Sequence, residues 1–370
     1  MSKKTRVCKT VPPRDPVHQL RLDKICKDLK LDKQVFTLPA PRALELMKIA
    51  QSARRKSIIE NSAKDRNELA YYPSFLCCLA LPAKPVAEPV YVRESPRYKL
   101  KIASAYCVPY GLYPRLLIAA LATEVTKRKN SGEDTTKLTL GPNFYSVVKK
   151  LLGTDRLSAG VGGQATRFKE QYRATITATI YWWQNKDRLP VRYAIADDWR
   201  EEEHLLWRVD KEGDDRPAFM PGRPVTLTLG KYFHQDLIDH SPAIDFGIFR
   251  ELSKRGGCLP LDLYVWLTYM ANGLRSEHRF EKRLDWENLK MQFGSGYARM
   301  DHFRTKVRLA LHRVALYYPG FSFEERRDKV VFTLRRPSVA GPFTVRGTGT
   351  DGASGLALPA PPVQGLLKLE

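Results

Sequence analysis

Cysteine is sparse and poorly spaced for chemistry in this sequence. Six residues, Cys8, Cys26, Cys77, Cys78, Cys107 and Cys258, are spread over 370 positions, and no two have C-x-x-C spacing. That pattern argues against a zinc finger and against a disulfide framework, and it fits thiols kept reduced in a cytoplasmic protein. Long apolar runs are also missing. None approaches the roughly 20 residues a spanning helix needs, so no membrane insertion is expected. The opening Met1-Ser2-Lys3-Lys4-Thr5-Arg6 has no apolar segment behind it and does not read as a secretory signal.

Catalytic constellations are equally scarce. There is no G-x-x-x-x-G-K-[ST], so no P-loop, and Gly160-x-Gly162-Gly163 is too loose for a phosphate cradle. The seven histidines contain no H-x-H, the close spacing a metal-dependent nickase would want. Arg and Tyr are so common here that a match to the Arg/His/Arg/Tyr set of a tyrosine recombinase has little meaning. Asp197-Asp198 and Asp214-Asp215 are sequence neighbours, whose side chains point apart in extended chain. The expectation is a protein with no cofactor, no metal and no catalytic activity. A nicking or recombining enzyme is the least favoured alternative.

What the chain does have is positive charge. It carries 62 Lys and Arg against 40 Asp and Glu, a net +22, while 43% hydrophobic residues mark it as globular. Such an excess suits a polyanion, because each cation placed on a phosphate releases condensed counterions. An anionic membrane surface is the competing partner. Residues 1–100 hold 21 basic and 10 acidic residues, half of the excess. The reverse holds in 197–215, with nine acidic residues against three basic ones, a stretch that must face away from phosphate.

Pattern divides the chain as follows. Residues 1–40 read as a basic N-terminal arm, and 41–102 as a helical region followed by a Pro-rich linker. In that region Pro41 to Tyr72 has helical periodicity. Residues 103–235 give helix (Pro114 to Lys129), strand (Leu138 to Leu140), helix from Pro142, glycine turn, helix from Gln164, strand (Ala174 to Trp183) and partner strand (Val191 to Ala196). Pro224 to Leu229 is a further strand. Residues 236–255 form an interdomain helix with Ser241 as its candidate N-cap. Residues 256–337 repeat the order: helix Pro260 to Leu274, a short extended piece at Arg283 to Trp286, a helix capped by Asp285, the Gly294-Ser295-Gly296 turn, a long helix from Arg299 to Tyr317, and a hairpin over Phe321 to Leu334. The tail, 338–370, is Gly-, Pro- and Ala-rich and reads as disordered. The expected fold class is therefore α+β: two tandem winged-helix (helix-turn-helix) domains behind a basic, partly helical N-terminal region. Such a device lays one helix in the DNA major groove.

Candidate contact residues follow from angle, at about 100° per residue. On the long helix Phe303, Val307, Ala310, Leu311 and Val314 share the core face, leaving Asp301, Arg304, Thr305, Arg308 and His312 on the other. Arg can grip guanine N7 and O6 together, and Thr can meet a thymine methyl. The hairpin tip offers Arg326, Arg327 and Lys329 to phosphate. On the first-half helix Thr166, Lys169 and Arg173 point outward with Arg167 and Gln171 at the flank. Any surface helix has a solvated amphipathic face. The glycine turn before the second helix and the basic hairpin after it are what favour double-stranded DNA.

Several segments also carry a family resemblance. They are Val108-Pro109-Tyr110-Gly111, Pro114-Arg115-Leu116-Leu117, Gly162-Gly163, Pro-Val-Thr-Leu-Thr-Leu-Gly (224–230), Tyr232-Phe233, Pro260-Leu261-Asp262-Leu263-Tyr264-Val265-Trp266-Leu267-Thr268-Tyr269, and Trp286 through Phe293-Gly294-Ser295-Gly296-Tyr297. Together they resemble plasmid-encoded RepA-type replication initiators over roughly residues 70 to 337. That resemblance implies two winged-helix domains that bind repeated sites (iterons) at a plasmid origin and open an AT-rich stretch. It also implies a host initiator ATPase and a replicative helicase as partners, and a monomer-dimer switch that bears on copy control. The same DNA-binding apparatus without initiation, a transcriptional repressor, is the alternative.

Overall fold

The computed structural model describes residues 40–158, 162–184, 188–198, 224–272, 280–294, 296–335 and 338–339. The basic arm at 1–39, most of the acidic stretch (199–215) and the tail from 340 lie outside the described residues. The chain divides into two compact units, 1–56 and 57–370.

In the first unit, α1 (Ala40–Ala50) begins with Pro41 in its first turn, where a missing N–H costs nothing. It does not run on as the periodicity over Pro41 to Tyr72 suggested. Ser52 breaks it: its hydroxyl donates to the Ile49 carbonyl at 2.8 Å and accepts the Arg55 amide at 3.2 Å. A serine offering the backbone such local partners competes with helix continuation. A new helix, α2 (Ala53–Glu60), starts there and crosses into the second unit.

The second unit holds two halves with related element order. β1 (Leu69–Tyr71) and α3 (Ser74–Cys78) come first. β2 (Val90–Glu94), β3 (Lys99–Ser104), α4 (Leu112–Ser131), β4 (Lys137–Gly141), α5 (Phe144–Leu152), α6 (Gln164–Ile176), β5 (Ala178–Trp183), β6 (Val191–Ala194), β7 (Ala196–Asp198) and β8 (Val225–Leu229) follow. Two antiparallel sheets result, β2-β3-β5-β6 and β4-β8-β7. The first uses strands from either side of the boundary expected at 103. Leu100, Ile102 and Ile180 bury its inner face; Trp182 stacks on Tyr98 at 5.2 Å and Tyr193 on Phe75 of α3 at 4.7 Å. Asn143 caps α5 by accepting the Ser146 amide at 2.8 Å, and Gly153, at φ +62°, ends it in the left-handed region that favours glycine.

β5 starts four residues later than the β-branched run from Ala174 suggested. Thr175 and Thr177 donate back to the Gln171 and Arg173 carbonyls, at 2.6 and 2.9 Å, so these threonines complete α6 instead of opening a strand. Between the halves lie α7 (Lys231–Asp239), β9 (Ala243–Asp245) and α8 (Phe246–Gly256). Asp245, not Ser241, caps α8, accepting the Ile248 amide at 3.2 Å. Ser241-Pro242 instead leads into β9, which pairs antiparallel with the distant β1. Pro242 biases the residue before it away from helix, which suits an approach to a strand.

The second half is α9 (Cys258–Ala271), β10 (Phe280–Asp285), α10 (Trp286–Phe293), α11 (Met300–Tyr317), β11 (Phe321–Glu325) and β12 (Lys329–Leu334). Its sheet has the order β10-β12-β11. α9 is buried nearly all round, and Trp266 meets Phe293 and Phe332 edge-on at 5.7 and 5.1 Å. Each such side chain stabilises the fold by roughly 1.5–3 kcal/mol. The halves are tied at the centre by a buried ion pair. Arg115 of α4 grips Asp262 of α9 with two nitrogens, at 2.7 and 2.8 Å.

Candidate nucleic-acid interface

The turn region of the second half is built from its caps outward. Asp285 ends β10 and caps α10, accepting the Asn288 amide at 2.7 Å as its sequence position suggested. Trp286 is buried beneath α11, edge-on to Phe303 at 6.5 Å. The Arg304 guanidinium lies across the Trp286 ring, 5.2 Å from its centroid, so this residue braces α10 against α11. Tyr297 donates its amide to Gly294 at 3.0 Å, closing the turn between the helices; Ser295 lies outside the described residues.

On α11 the structure splits the candidates. Asp301 is exposed and paired with the exposed Arg299, whose guanidinium holds its carboxyl below the usual range. Thr305 donates its hydroxyl to the Asp301 carbonyl at 3.0 Å. Arg308 forms a two-pronged ion pair with Glu325 at the end of β11, one arm at 2.6 Å, which links the helix to the hairpin. His312 does not face solvent. It is 4% exposed and sits edge-on to Phe323 of the hairpin at 5.1 Å. This corrects the angular reading: the hairpin folds over the last turns of α11, and Leu309, Arg313 and Leu316 on that same side are buried too. Periodicity finds one core face but cannot see a second wall brought in by later chain. Accessible side chains are concentrated in the first turns, where His302 is exposed and Lys306 half-buried. The angular reading did not single out Arg299, His302 or Lys306; the signal for them is position, since in helix-turn-helix proteins base contacts come from the N-terminal residues of the second helix.

At the hairpin, Arg326, Arg327 and Lys329 are all exposed. Arg326 pairs with Glu324 at 3.2 Å, which holds that carboxyl low. With Arg283 and the carboxylates of Asp285 and Asp328, they line an open groove beside the N-terminus of α10.

In the first half, α6 presents Thr166, Arg167, Lys169 and Arg173 at the surface. Arg167 donates to the Gly162 carbonyl at 2.6 Å. Arg173 lies over Tyr106, 4.4 Å from the ring centroid, and Tyr106 is itself 49% exposed. Partial burial, with Arg173 adding repulsion, lowers the Lys169 pKa. Gln171 is a second correction. It is 4% exposed and accepts the Tyr110 amide at 2.8 Å, so it anchors the chain before α4 instead of facing a ligand.

Among the described residues no group of three or more His, Cys, Asp and Glu could hold a metal, and no helix is long and apolar enough to cross a membrane. The described cysteines Cys77, Cys78, Cys107 and Cys258 are free thiols.

The molecule is thus a mixed helix-and-sheet protein with cations gathered at exposed helix starts and at a hairpin tip. Residues 108–288 match the family described as plasmid encoded RepA protein. Similarity to plasmid RepA proteins is therefore shown across that stretch, from the chain just before α4 into the first turn of α10. The match is shorter than the 70 to 337 suggested by motif, and it ends before α11 and its hairpin. A crystal structure of domains 2 and 3 of RctB aligns with 12% identity over 71% of this chain and 97% of that one, at a TM-score of 0.42. No curated protein gives a significant match.

Proposed function

We propose that this chain is a plasmid replication initiator of the cytoplasm that acts by binding duplex DNA at its origin, without catalysis of its own. The observation that carries the duplex-binding part is the second half: α9, β10, α10, turn, α11, hairpin, with strand order β10-β12-β11 and cations left exposed at the start of α11 and at the hairpin tip. This is the plan of a winged helix. The first turns of α11 enter the major groove, and Arg326, Arg327 and Lys329 rest on phosphate. The first half has the same order of helices and strands around α6. There, however, β4 pairs with β8, and the β5-β6 hairpin joins β3, so a second winged helix would carry a differently built wing.

The family match supports the initiator role. Repeated binding sites, duplex opening, a host initiator ATPase and helicase, and a monomer-dimer switch belong to the same proposal. A nuclease footprint on the plasmid's own origin tests it. Protected repeats phased by about 10.5 bp, or multiples of it, are expected. Equal protection of scrambled duplex would sink the sequence-reading role. A repressor would protect the same DNA yet fail to support replication of an origin plasmid when supplied in trans. Nicking of supercoiled DNA with a divalent metal would refute the non-catalytic reading.

A further inference from the structure

The sheet β2-β3-β5-β6 has an outer face that the core does not use. Its register puts Val92, Lys101, Tyr181 and Arg192 in one row across the four strands, and Glu94, Lys99 and Trp183 in the next. Val92 is 51% exposed; Arg192 and Glu94 are exposed, and the lysines and aromatic rings are half-buried. The Lys99 ammonium lies 5.5 Å from the Trp183 ring centroid and that of Lys101 5.7 Å from Tyr181. The two rings, one after the other along β5, are 6.5 Å apart. The proposed duplex site uses none of these residues.

Rings next to ammonium groups on an open sheet suit one kind of occupant. Unpaired bases can stack on Tyr and Trp while flanking cations take the phosphates; in a duplex the base faces are hidden inside the stack and cannot reach a flat sheet. A protein partner fits less well, because the cores of protein interfaces are depleted in Lys. We propose that this face binds single-stranded DNA, with consecutive bases on Tyr181 and Trp183 and their phosphates held by Lys99, Lys101 and Arg192. The choice of DNA over RNA rests on the duplex-binding reading; the sheet as a single-strand platform does not.

Fluorescence anisotropy of labelled oligothymidine with the full chain tests this. Replacing Tyr181 and Trp183 together by Ala is expected to weaken binding at least about 30-fold, since each stacked base contributes about fivefold or more. Tyr181→Phe and Trp183→Phe, which keep a ring, should stay within about threefold of the parent and guard against misfolding. Lys99→Gln with Lys101→Gln should reduce the salt slope by about 1.4. Origin-duplex binding should be unchanged in every variant. Unchanged oligothymidine affinity in the double alanine variant, or a parallel loss of duplex binding, would overturn the site. A tenfold preference for oligouridine would overturn the choice of DNA. If origin duplex is not bound while oligothymidine follows the expected pattern, the duplex reading fails and the platform stands.

Discussion

Removing the Asp262 carboxylate should be among the costliest single changes in this protein. Arg115 is enclosed at 1% exposure. Its guanidinium donates to both Asp262 oxygens and to the carbonyls of Gly111 at 2.5 Å, Leu81 at 2.7 Å and Pro82 at 3.3 Å. In Asp262→Ala the carbonyls remain, but the cation loses its counter-charge in a place water cannot reach. Breaking a buried pair from one side costs about 3–5 kcal/mol, a large share of the 5–15 kcal/mol that typically holds a domain together. Taking both charges out is a different perturbation. Arg115→Met with Asp262→Leu removes the desolvation penalty along with the attraction, and it should recover most of the loss. Urea unfolding followed by tryptophan emission reads this directly, since Trp266 lies one turn from Asp262 on α9. A loss below about 1 kcal/mol for Asp262→Ala, or a double variant no more stable than the single, would refute the reasoning.

Three further outcomes are expected. Arg326→Ala with Arg327→Ala should reduce the salt slope of duplex binding by about 1.8; an unchanged slope would remove the hairpin from the interface. Glu325→Gln should release Arg308 toward phosphate and steepen the slope by about 0.9, whereas no change would mean that Arg308 serves only to join helix and hairpin. His312→Ala should lower stability by roughly 1–3 kcal/mol and leave the footprint as it was, and any base-specific change would return His312 to the reading surface.

Much of the second half was legible from sequence. Asp285 as a cap, the glycine turn, and hydrophobic spacing along α9 and α11 are local signals, and local chemistry enforces them. The errors lie where distant chain intervenes. His312 and Gln171 sit at angles that would be solvent-facing on a lone helix, but Phe323 and the Tyr110 amide reach them from elsewhere. The β1-β9 pair was invisible because each strand has three residues, too few for a period to show. The resemblance motifs also turned out to report on packing. Pro114-Arg115-Leu116-Leu117 and Leu261-Asp262-Leu263 meet each other in the core through Arg115 and Asp262, so they identify the scaffold and leave the reading surface unspecified.

The hairpin that covers the end of α11 has one more consequence. A helix walled in along its later turns cannot slide deeper into a groove, and substitutions there change folding before they change recognition. If α11 reads an origin as proposed, any drift toward a new sequence would be channelled through the few positions between Arg299 and Arg308. The address can be rewritten at the tip of the helix while the handle behind it stays fixed.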